Sequence, residues 1–106
     1  MSSVVLTQAG ELDIATAPRL FERLAPHRRP GHEVVLDLRE VTFMDCHTLG
    51  YIIAAHVDSE TEGWRLRVLV ETPPVLRLLD LTGAARLLPI DLPDRGTAVA
   101  VSPRYG

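Results

Sequence analysis

Apolar residues recur along the chain in two rhythms, one of period two and one of three to four. Val4-Val5-Leu6-Thr7-Gln8 reads as a strand ended by Ala9-Gly10. Ala17, Leu20, Phe21 and Leu24 then fall at i, i+3, i+4 and i+7, which puts them on one face of a helix. Thr16 and Pro18 suit its first turn, where a proline loses no hydrogen bond. Pro26 and Pro30-Gly31 close that helix and form a loop. Val34-Val35-Leu36-Asp37-Leu38 is almost continuously apolar, as in a central strand covered on both faces. Val41 and Phe43 form an extended lead into a second helix, whose apolar stripe is Leu49, Ile52, Ile53 and Val57. Asp45 is placed to cap its start and Gly63 to stop it.

Leu66, Val68 and Val70 fall at alternate positions, which predicts a third strand over 65–71. Thr72-Pro73-Pro74 opens a third helix with Val75, Leu78 and Leu79 turned inward, and Thr82-Gly83 ends it. Leu87-Leu88-Pro89-Ile90 predicts a short fourth strand, while Thr97 to Val101 suits either a terminal helix or an edge strand. Strands alternating with helices imply an α/β domain with helices packed on a sheet. No internal repeat or linker divides the chain, so residues 1–106 form a single domain.

Composition narrows the function classes. With 106 residues and 46% apolar content, the chain is long enough to bury one core without staples. The net charge is −3 and Arg28-Arg29 is the only adjacent basic pair. A nucleic-acid binder needs a basic stripe, so nucleic acid is not the expected partner. No apolar stretch approaches the roughly 20 residues that cross a bilayer, and the N-terminus lacks the charged and apolar regions of a signal peptide. A single cysteine, Cys46, fits a reducing cytoplasm and excludes an internal disulfide. No cofactor is expected.

The unusual chemistry is concentrated in Asp45-Cys46-His47-Thr48, where a loop enters the second helix. One explanation is capping, since a helix start leaves about four N–H groups unpaired. The other is recognition or modification at the positive end of the helix dipole. Cys46 and His47 do not form a catalytic dyad, because helix neighbours point about 100° apart. Nor does the sequence offer a zinc site. Cys46 and His56 are ten positions apart, roughly 15 Å along a helix, and His27 and His32 have no fixed spacing to either. His56, seven residues after Leu49, is expected at the edge of the buried face as a packed, hydrogen-bonded histidine. Gly10-Glu11-Leu12-Asp13 reads as a turn before the first helix, with Glu11 and Asp13 available as an acidic contact.

Four motifs in order give these features a common setting. They are Gly10-Glu11-Leu12-Asp13, Val34 to Leu38, Phe43-Met44-Asp45 with Leu49-Gly50, and Pro74 to Gly83. Together they resemble the bacterial anti-sigma factor antagonists of the STAS domain family over residues 4–90, with 91–106 as a tail beyond the resemblance. The resemblance implies a mostly parallel sheet of about four strands with helices mainly on one side. It also implies a non-enzymatic regulator that binds an anti-sigma factor, itself a serine kinase, and so frees a sigma factor. The kinase would eject the antagonist by phosphorylating it at the start of the second helix, and a phosphatase would restore it. The partner-binding surface would comprise Asp13, Met44, Asp45, Cys46, His47, Thr48 and Leu49. A monomer or weak homodimer is expected.

The family's acceptor motif reads Asp-Ser-Ser-Gly-Leu-Gly. Asp45, Leu49 and Gly50 match it, while Cys46, His47 and Thr48 do not. His47 occupies the acceptor position and has no hydroxyl. Three possibilities follow: constitutive partner binding, phosphorylation of Thr48 instead, or redox control through Cys46. A ligand-sensing or scaffold subunit is the alternative function. The family also carries a strand before the one at Val4. The expectation here is a smaller sheet, or an edge covered by the tail or by a second molecule.

Overall fold

The computed structural model of the chain describes residues 2–91. Within them the order is β1 (Ser3–Leu12), α1 (Ala17–Leu24), β2 (Glu33–Met44), α2 (Cys46–Glu62), β3 (Arg65–Leu69), α3 (Pro73–Thr82) and β4 (Ile90–Asp91), with single 3-10 turns at Ala25–His27 and Ala84–Arg86. The four strands form one parallel sheet in the order β1-β2-β3-β4. Parallel neighbours require a crossover between them, and each helix supplies one.

Alternation along the strands decides which face the helices cover. Leu6 and Leu12 of β1, Val34, Leu36 and Leu38 of β2, and Leu66 and Val68 of β3 join one buried cluster, as does Val70 just beyond it. Ala17, Leu20 and Leu24 of α1, Leu49, Ile52 and Ala55 of α2, and Val75 and Leu79 of α3 complete the same cluster. All three helices therefore pack on one side, as the resemblance implied. Val35 and Leu69 are also buried, outside that cluster. On that second face of β2, Glu33 and Asp37 are half-buried and Arg39 is exposed, so the two-sided covering expected of β2 is only partial.

Several boundaries differ from the sequence reading. β1 does not end at Ala9-Gly10 but continues to Leu12, because β2 bulges against it twice. Between Thr7↔Asp37 and Ala9↔Glu40, β1 advances two residues and β2 three; between Gly10↔Val41 and Glu11↔Phe43, β1 advances one and β2 two. Gly10 adopts φ +81°, a left-handed conformation open to glycine at no steric cost. β2 likewise absorbs the Val41–Phe43 lead into one unbroken strand. The fourth strand is Ile90–Asp91 rather than Leu87 to Ile90, since Ala84–Arg86 winds into a 3-10 turn that buries Ala84. The tail from residue 92 onward, including Thr97 to Val101, lies outside the described residues.

α2 is rotated relative to the predicted stripe. Its buried residues are Thr48, Leu49, Ile52, Ala55 and Ser59, and Val57 is 55% exposed. Small side chains at 55 and 59 let the helix lie close to the sheet, which turns Val57 outward. In α3, Leu78 is only half-buried.

Candidate functional site

The two bulges have a geometric consequence at the carboxyl end of the sheet. They bring the ends of β1 and β2 level, with Leu12 paired to Met44. The Asp45 N–H donates to the Leu12 carbonyl at 3.3 Å, joining the start of α2 to the loop before α1. In open α/β sheets this end is where binding sites form.

Each loop is set by one aspartate. The Asp13 Oδ1 accepts from the Ala15 N–H at 2.9 Å and the Thr16 N–H at 3.1 Å. In return the Asp13 N–H donates to the Thr16 hydroxyl at 2.9 Å, and that hydroxyl donates to the Glu11 carbonyl at 2.8 Å. The Asp45 Oδ1 accepts from the Thr48 N–H at 2.8 Å, the predicted N-cap. That N–H, with smaller help from the Ile14 N–H, holds the Asp45 carboxyl below the usual carboxylate range.

The cap therefore has a signed pH dependence. A carboxyl whose pKa is lower folded than unfolded contributes stability above its unfolded pKa, about 3.9. That contribution disappears as pH falls through the folded value. Asp45→Ala is expected to lower unfolding free energy by about 1 kcal/mol at neutral pH, and Asp45→Asn by less, since asparagine caps comparably. Urea unfolding from pH 7 down to 2 should show the gap between wild type and Asp45→Ala narrowing below about pH 4. A gap independent of pH would mean that the carboxylate charge plays no part in the cap.

The predicted site residues separate by burial. Asp45 is half-buried, and Cys46 and His47 are exposed on the first turn of α2, with Asp13 half-buried on the adjoining loop. Met44, Thr48 and Leu49 are inside, at 6%, 0% and 3% exposure. Met44 and Leu49 belong to the core cluster beneath the turn. The Thr48 Oγ1 is also buried and meets no hydrogen-bond partner within normal geometry among the described residues. Thr48, the alternative acceptor expected from the sequence, therefore presents no hydroxyl at the surface in this conformation.

His47 makes a contact that the sequence reading missed. Its ring meets Tyr51 edge-on, with centroids 5.0 Å apart, and Tyr51 meets Phe21 of α1 at 5.7 Å. The signal was present, since 47 and 51 are spaced i, i+4 and face each other on a helix. No hydrogen bond links Cys46 to His47. Together with Ile14 and Pro18, the aromatic row borders a groove of about 500 Å³ between α1 and α2.

His56 departs from expectation in one respect. It is half-buried at the edge of α2 as predicted, but its Nδ1 is buried without a hydrogen-bond partner among the described residues. Among those residues no group of three His, Cys, Asp or Glu side chains is placed to hold a metal ion. No described helix is long and apolar enough to cross a membrane.

Comparison with known proteins agrees with this architecture. The chain is 30% identical over 88 residues to the anti-sigma-B factor antagonist of Bacillus subtilis (strain 168), covering 83% of this chain and 81% of that protein. It is 33% identical over 89 residues to the anti-sigma F factor antagonist of Paenibacillus polymyxa, covering 82% and 76%. It is 34% identical over 83 residues to the anti-sigma-B factor antagonist of Staphylococcus epidermidis, covering 77% of each. The family model described as STAS domain matches residues 2–93. With its helices on one face of a four-stranded parallel sheet and that match across nearly all the described residues, the chain belongs to the STAS domain family.

Proposed function

We propose that this protein is an anti-sigma factor antagonist that docks on an anti-sigma factor through the first turn of α2. The observation carrying this reading is the turn itself. Asp45, Cys46 and His47 are presented on a capped, core-anchored helix start beside Asp13, where the family keeps its switch. A contact surface held on rigid elements loses little freedom on binding, which favours affinity. The protein acts by binding and releases its sigma factor by occupying the anti-sigma factor.

Regulation differs from the family scheme. Among positions 45–49 the only hydroxyl is that of Thr48, which is buried, so no acceptor oxygen faces a kinase at the turn. The protein therefore engages its partner without being ejected by phosphorylation. Each anti-sigma factor of the source organism, purified with MgATP, is to be titrated with the protein and the product weighed by intact mass spectrometry. At least one should form a stable complex and leave the mass unchanged, whereas His47→Ser should gain one phosphate. Transfer of phosphate to the unsubstituted protein would refute the constitutive reading. The absence of any complex would refute the antagonist assignment.

The missing acceptor also favours a second reading, a STAS-type ligand-sensing or scaffold subunit outside serine phosphorylation. A complex with no anti-sigma factor but with another signalling protein would select it. Exposed Cys46 supports a separate route of control. If redox state governs docking, mild peroxide changes affinity and Cys46→Ser removes the response.

A further inference from the structure

The groove between α1 and α2 lies beside the turn and has a chemistry of its own. Ile14, Pro18, Phe21, Glu22, His47 and Tyr51 border it, and its volume of about 500 Å³ falls within the range of sites that enclose compact apolar groups. Ile14 is 65% exposed and Tyr51 53% exposed, on opposite sides of the same depression. Scattered apolar residues on a surface carry no message, but two large ones converging on one groove mark an interaction site. The wall is preformed, because the His47–Tyr51–Phe21 row fixes three rings against one another. Tyrosine in such a position is a frequent binding hot spot, since it offers large area at small entropic cost.

Charge indicates what enters. Among the described residues Glu22 is the only carboxylate bordering the groove, and His47 is the only basic side chain there. The loops that continue from it carry Asp13 and Asp45. On α1, Arg19 lies outside the lining, and Arg23 is committed elsewhere, donating to the Thr7 carbonyl at 3.0 Å and the Gln8 side chain at 3.3 Å. The depression is thus largely apolar, with one carboxylate on its rim and two more on the adjoining loops. His47 belongs to both groove and turn, so a partner seated on the turn extends into the groove.

We propose that this groove seats an apolar side chain of the anti-sigma partner, carried on a segment with an arginine or lysine beside it, and that Ile14, Tyr51 and Glu22 set partner specificity. The proposal rests on the antagonist reading and adds a second contact region to it.

Isothermal titration with the anti-sigma factor that binds the unsubstituted protein tests it, with circular dichroism confirming the fold of each variant. Tyr51→Ala and Ile14→Asp should each weaken binding at least tenfold. Ile14→Ala should weaken it less, and Glu22→Arg should weaken it most at low salt. Val57→Asp, an exposed change elsewhere on α2, should have no effect. If Asp45→Arg weakens binding and the groove variants do not, the groove proposal fails while docking through the turn stands. If none of these changes weakens binding, both fail. If the groove variants alter self-association in sedimentation while partner affinity is unchanged, the occupant is a second copy and the proposal is overturned.

Discussion

Trp64→Ala is expected to lower unfolding free energy by about 3–5 kcal/mol, the usual cost of emptying a large aromatic site in a core. Trp64 is 3% exposed and joins the main cluster at the junction of α2 and β3. Its surroundings add to the packing. The Nε1–H donates to Glu62 at 2.7 Å, and the Arg28 guanidinium lies 5.4 Å from the ring centroid. Arg28 in turn reaches Asp58 at 3.2 Å and Glu62 at 3.0 Å. These ion pairs are partly exposed and contribute little as charges; their role is to hold a cation against the ring. The loop before β2 is fastened to the same junction, with the Gly31 N–H donating to the Gly63 carbonyl at 2.8 Å and the Arg65 N–H to the His32 carbonyl at 2.9 Å.

Domains of this size are stable by only about 5–15 kcal/mol, so the loss removes a large share. At roughly 4 °C or more per kcal/mol, the midpoint should fall by about 12 °C or more. Far-ultraviolet circular dichroism is the right probe, because Trp64 is the only tryptophan and the variant has no indole fluorescence. Trp64→Phe should cost less, since it keeps a ring under Arg28 and loses only the indole hydrogen bond and some area. A loss below about 1 kcal/mol for the alanine variant would show that other contacts hold the α2–β3 junction.

Ile52→Ala is expected to cost about 2–5 kcal/mol and Ile52→Val about 0.5–1.5 kcal/mol. Ile52 is 1% exposed at the centre of the buried face of α2, between Leu49 and Ala55. A cavity there undercuts the helix that carries the docking turn. In urea the alanine variant should show an earlier midpoint with an unchanged slope, because the surface exposed on unfolding hardly changes. A changed slope would indicate that α2 loosens separately from the sheet. In that case partner affinity should fall in Ile52→Ala without any change to the exposed turn.

Local chemistry was legible along the chain where it depends on near neighbours. The apolar spacing of Ala17, Leu20 and Leu24 gave the buried face of α1, and Thr16 and Pro18 stand at its start. Asp45 caps α2 through the Thr48 N–H because a short carboxylate reaches an N–H three residues on in any helix start. Gly63 ends α2 at φ +82°, a conformation costly for a side chain with a Cβ. Parallel strands and one-sided helices followed from the alternation of elements together with the four family motifs.

Other features depended on contacts between distant segments. The β2 bulges exist only in register with β1, and they bring the two strand ends level at Leu12 and Met44. Periodicity weighs a side chain by its apolarity, so it chose Val57 for the α2 stripe. Packing weighed it by fit against the sheet and chose Thr48, Ala55 and Ser59. That rotation turned Thr48 inward; Leu49 lies on the buried face in either reading, and Met44 is buried at the end of β2, leaving Asp45 half-buried and Cys46 and His47 exposed. The groove required α1 and α2 side by side, since Ile14 and Phe21 meet His47 and Tyr51 only across that gap. By itself the sequence determined the fold class, the helix caps and the absence of a serine at the switch position. Only the tertiary structure decided which side chains at that position reach the surface, because burial is a property of the assembled layers rather than of any one segment.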